Sequence, residues 1–102
     1  MSIQVVKNEY EIKEVKIKES HSLICDISDE LFNVEIIVNY KPKDRIIELV
    51  SFREFVSGFK RETVESLCFK IKQECDSILG INNSTVIISG KSKIHPDVSV
   101  QI

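Results

Sequence analysis

The chain has 102 residues, 42% of them hydrophobic and 29% charged, enough for one hydrophobic core, too few for two, and too apolar for a long disordered segment. Its net charge of -2 excludes a basic nucleic-acid footprint over the whole domain, although Lys41, Lys43 and Arg45, Lys60 and Arg61, and Lys91 and Lys93 form local clusters that an RNA could meet. Short apolar runs, Lys7 and Glu9 near the start, and three cysteines (Cys25, Cys68, Cys75) without CxxC spacing give no expectation of a membrane span, a leader, a disulfide framework or a metal site, and point to the cytoplasm.

From Val15 to Ile27 the odd positions Val15, Ile17, His21, Leu23, Cys25 and Ile27 alternate with mostly polar neighbours, the period of a half-buried strand. After a turn-forming stretch over 26–30, Phe32, Val34, Ile36, Val38 and Tyr40 repeat that period, which predicts a hairpin. At Lys41-Pro42-Lys43-Asp44 the proline removes a donor, and the apolar spacing then changes from two to three and four.

Ile46, Leu49, Val50, Phe52, Phe55, Val56 and Phe59 make one stripe, predicting a short helix that ends at Gly58. Val64, Leu67, Cys68, Ile71, Cys75, Ile78 and Leu79 predict a second helix, with Glu62 and Glu65 at its positive end and Gly80 just beyond its last apolar residue. Two short strands, Thr85–Ser89 and Lys93–Ile102, are expected to join across Gly90-Lys91-Ser92, with Pro96 at an edge or bulge. The order β-β-α-α-β-β predicts one α+β domain over residues 1–102, an antiparallel sheet with both helices on one face. Ile37, on the other side of the second strand, points to association into a homo-oligomer.

The segment Glu48-x-x-Ser51-Phe52-Arg53-x-Phe55-x-x-x-Phe59-Lys60 resembles the motif of the QueF family, nitrile reductases of 7-cyano-7-deazaguanine with the tunnelling fold. Cys25, fifteen residues before Tyr40, together with Tyr40-x-Pro42 and Glu65 at the start of the second helix, keeps the same register, so the resemblance spans roughly Ser22 to Leu79. It implies a barrel of several subunits that binds a purine-like ring at subunit boundaries. The proline after the family's cysteine is here Asp26, and the acid seven residues on is Phe32, with Asp29 and Glu30 the nearest carboxylates. The histidine before the ring-gripping glutamate is Val64, and a lysine of the cofactor motif is Val50.

These departures and the small size favour the short archaeal QueF-like amidinotransferase, which needs no NADPH because ammonia attacks the nitrile adduct in tRNA to give archaeosine. A nitrile carbon is electrophilic and accepts a thiolate, so the resemblance makes Cys25 the nucleophile, with Asp29 or Glu30 moving the proton. Glu65, with Glu48 and Ser51, would hold the ring; no cofactor is expected, but NADPH, were the protein a reductase, would meet Arg53 and Lys60. The expected partners are 7-cyano-7-deazaguanine or tRNA bearing it. Each residue also has a plainer reading: Cys25 as a strand core residue, Glu65 as a helix-dipole partner, Asp29 and Glu30 as a solvated turn, Arg53 and Lys60 as a wet helix face. Val64-Glu65-Ser66-Leu67 also resembles the dihydroneopterin aldolase helix, and a binding protein without catalysis is the third possibility.

Overall fold

The computed structural model describes residues 2–80 and 83–102. Two ten-residue strands, β2 (Val15–Ile24) and β3 (Leu31–Tyr40), form the predicted hairpin, in register from Val15 opposite Tyr40 to Ile24 opposite Leu31. They continue through β5 (Ser84–Lys91) and β6 (Val98–Gln101) into a four-stranded antiparallel sheet of order β2-β3-β5-β6. Helices α1 (Leu49–Ser57) and α2 (Val64–Leu79) cover one face, α1 against β2 and α2 against β5 and β6. Among the described residues no helix is long and apolar enough to cross a membrane.

Alternation decides which face is covered. Phe32, Val34, Ile36, Val38 and Tyr40 of β3 and Val86 and Ile88 of β5 meet Phe52, Val56, Leu67, Cys68, Ile71 and Cys75 of the helices in one buried cluster. Their neighbours on the opposite face, Lys16, Lys18, Ser20, Asn33 and Glu35, are exposed, while Ile37 and Ile87 lie half-buried in its middle. That face is largely wet, with apolar side chains at its centre and, at the end of β3, the exposed Leu31.

Four expectations need correction. The first strand ends at Ile24 rather than Ile27, because Cys25 N–H donates to Glu30 O and Asp29 N–H to Cys25 O, both at 2.8 Å, and this turn leaves Ile27 83% exposed. Ile46 belongs to a short strand, not a helix: β4 (Arg45–Ile47) pairs with β1 (Val5–Lys7) in a separate two-stranded sheet. Leu49 and Val50, expected on the buried stripe, are exposed in the first turn of α1, and Gly58 ends that helix with an ordinary φ of -71°. Gly90 and Lys91 lie inside β5, and the connection to β6 runs over 92–97.

Glycine is required at position 90 by proximity, since a Cβ there would meet Asn33 O at 2.3 Å and Val34 Cα at 2.8 Å on β3. At Gly80 the reason is conformational: a φ of 101° lets the chain leave α2 where a side chain would be strained. The N-terminal segment is tied down by Ile3 N–H donating to Glu74 Oε2 and Gln4 N–H to Ser51 Oγ, at 3.0 and 2.8 Å. Tyr40 carries its hydroxyl to Ile47 N–H at 2.8 Å and so fastens β4 to the end of β3.

Candidate active site

The turn after β2 sets Cys25 at the margin of the core. Ile24 N–H donates to Lys60 O and Glu62 N–H to Ile24 O, at 2.9 and 3.1 Å, so the segment leading into α2 runs beside the end of β2. The first turn of α2 is thereby brought next to the cysteine. Thr63 caps that helix, its Oγ1 accepting from Ser66 N–H at 3.0 Å. Val64 is then buried and Glu65 stays outside, at the positive end of the helix.

A cavity of about 270 Å³ opens here, its lining including Cys25, Glu30, Phe32, Glu65, His95 and Val98. Larger clefts lie elsewhere, about 750 Å³ over the outer face of the sheet beside Asn33, Glu35 and Lys91, and about 820 Å³ beyond Glu30 beside Asp29, Ser92 and Lys93. Neither presents a thiol, so chemistry rather than volume singles out the smaller one. Its size is just below that of small-molecule sites, about 300–1,000 Å³, and suits a flat ring.

The three thiols differ in kind. Burial raises the pKa of Cys68, and burial with the nearby Asp76 and Glu74 charges pushes Cys75 up to about 12, so both are inert core residues. Cys25 is only half-buried. Its pKa is lowered by the Ser28 hydroxyl first, then by the backbone N–H groups of Ser28 and Ile27, against the opposing effects of burial and Asp26. Replacing Ser28 with alanine should therefore raise the Cys25 pKa towards its ordinary value and slow its alkylation by iodoacetamide at pH 7 roughly twofold to tenfold, the worth of a hydrogen bond of about 0.5–1.5 kcal/mol. Mass mapping of the alkylated peptide against pH reads this directly; an unmoved profile would remove Ser28 from the account.

The carboxylates divide as sharply. Glu62 is engaged by Lys70 Nζ at 2.7 Å and by Ser66 Oγ at 2.8 Å, whereas Glu65 makes no side-chain hydrogen bond or ion pair among the described residues. Asp29, with a left-handed φ of 60°, pairs with Arg61 away from the cavity. Glu30 turns the other way and reaches the lining, its pKa held down by Ser92 and then His95.

The remaining predicted residues lie outside this cavity. Glu48 caps α1, its carboxylate accepting from Val50 and Ser51 N–H at 2.8 Å, which also keeps its pKa low. Ser51 is buried and accepts from Gln4 N–H. Arg53 Nε donates to Glu19 at 2.8 Å, and Lys60 is exposed. His95, in the loop before Pro96, lines the cavity without a sequence signal that singles it out, and Ser92 braces Glu30 beside it. His21 has a structural place, its Nε2 2.6 Å from Phe59 O.

Two layers, with a strand pair before and another after the helix pair in chain order, define a small α+β fold. Among solved structures the chain is similar to the archaeosine synthase QueF-Like in its apo form, with a TM-score of 0.72 and 22% identity over 88% of this chain and 91% of that one. The likeness is one of fold. No protein-family model and no curated protein matches the chain.

Proposed function

We propose that the protein is a tRNA-modifying enzyme that converts the nitrile of 7-cyano-7-deazaguanine, carried in tRNA, into the amidine of archaeosine. The Cys25 sulfur adds to the nitrile carbon, one π pair moves to the nitrogen, and a proton completes a thioimide. Ammonia then adds to that carbon, the carbon–sulfur bond breaks, and the thiolate leaves. Glu65 accepts hydrogen bonds from the amino and imino groups of the ring edge, which fixes the nitrile over the sulfur.

One observation carries this reading: a thiol of lowered pKa and a carboxylate without a partner among the described residues line the same cavity. The fold shared with an archaeosine synthase supports it. Amidation is favoured over reduction because Arg53 is occupied by Glu19 and position 50 is an exposed valine, which leaves a dinucleotide phosphate poorly met. We assign no step to Glu48, Ser51, Asp29 or Lys60, which lie outside the cavity. The β2 and β6 edges would serve association into a homo-oligomer, and the mass of the protein in solution tests that part.

The direct experiment supplies tRNA bearing the nitrile base with either ammonia or NADPH and analyses the released nucleosides by mass. The amidine, formed with ammonia alone, is expected. An aminomethyl product with NADPH would make the protein a reductase. Binding without conversion would leave a binding protein, and cleavage of a dihydropterin by a Cys25→Ala variant would make it an aldolase.

A further inference from the structure

The loop joining β5 to β6 is wound around one hydroxyl. Ser92 Oγ accepts from Ile94 and His95 N–H at 3.2 and 2.9 Å, and donates to Glu30 Oε2 at 2.6 Å. The same carboxylate oxygen lies 2.9 Å from His95 Nδ1, and the imidazole stacks on Phe32, ring centroids 6.2 Å apart and planes within 19°. An ionised carboxylate only accepts hydrogen bonds, so Nδ1 carries a proton, and Nε2 is the ring nitrogen with no partner among the described residues. The ring is thus held on two sides while it borders the cavity that Cys25 and Glu65 share.

The nitrile addition needs a proton for the nitrogen, and four titratable groups line the cavity: Cys25, Glu30, Glu65 and His95. Cys25 supplies the sulfur. Glu30 is committed as a twofold acceptor, and Glu65 is the acceptor required by the ring edge. We propose that His95, oriented by Glu30 through Nδ1 and steadied by Phe32, is the catalytic proton donor from Nε2 to the nitrile nitrogen, with Glu30 and Ser92 as its positioning residues. The inference rests on the nitrile-adding reading above. Its step balances: the Cys25 thiolate forms the carbon–sulfur bond, one carbon–nitrogen π bond opens, the imidazolium Nε2 proton passes to that nitrogen, and neutral His95 and a thioimide remain.

Free 7-cyano-7-deazaguanine, intact mass and a parallel iodoacetamide reaction separate the possibilities. Alkylation needs the thiolate but delivers no proton to a nitrogen. His95→Asn is expected to slow thioimide formation by about 10²-fold or more while Cys25 alkylation and the melting temperature stay at their native values. In His95→Ala, added imidazole is expected to restore adduct formation, a response that a merely structural histidine would not give. An adduct formed at the native rate by His95→Asn, equal slowing of adduct and alkylation, or no rescue by imidazole would each overturn the role of His95 and leave the Cys25 chemistry standing. Native protein that alkylates at Cys25 but forms no adduct with the free base or with tRNA bearing it would instead overturn the nitrile reading, and the donor role with it.

Discussion

Cys25→Ala should bring conversion of the nitrile down to the uncatalysed background, a loss of at least about 10³-fold, because the reaction has no covalent route without the sulfur. The fold should hardly respond. Cys25 is half-buried and leans on the core from its margin, so losing one sulfur should cost less than about 1 kcal/mol, which a melting curve reads. Ring binding should persist in the variant, since Glu65 is untouched. The combination of lost turnover, retained binding and native stability distinguishes a nucleophile from a core cysteine. A variant that keeps turnover would return Cys25 to a packing role.

Glu65→Ala should weaken binding of the free nitrile base by about 10²–10⁴-fold, the loss of two hydrogen bonds to a charged group at about 1.5–3 kcal/mol each. Glu65→Gln keeps an acceptor but loses the charge, and should fall between. Because Glu65 is exposed and faces the positive end of α2, its loss should reduce stability by only about 0.3–1 kcal/mol. Calorimetric titration of the three proteins with the nitrile base tests this; equal affinities would make Glu65 a helix-dipole partner only.

Much of the framework was legible because its signals are local. The alternation in β3 and the apolar spacing of α2 can be read from neighbouring residues, and Gly80 marks the end of that helix as its C-cap. The strands β1 and β4 were not legible, since three residues carry no usable period and each exists by pairing with the other some forty positions away. The same reason misassigned the end of the first strand. Ile27 keeps phase with Leu23, but the hydrogen bonds closing the turn at Cys25 depend on Glu30 and Asp29 and not on hydropathy.

The candidate site divides along the same line. Cys25 and Glu65 could be selected from the resemblance, residue by residue, and the structure sets them around one cavity. His95 could not be selected. It precedes Pro96 in a polar stretch, and its significance comes from Glu30, sixty-five positions earlier, and from the ring of Phe32. Between Asp29 and Glu30 the sequence offers no preference; the left-handed backbone at Asp29 and its pairing with Arg61 make the choice.

The central claim is a covalent bond between the Cys25 sulfur and the nitrile carbon. Native protein incubated with 7-cyano-7-deazaguanine without ammonia or NADPH, then digested and sequenced by mass, should carry the whole heterocycle on the peptide containing Cys25 and nowhere else. A peptide left unmodified both by the free base and by tRNA bearing it, while the same sulfur alkylates readily with iodoacetamide, would contradict the account.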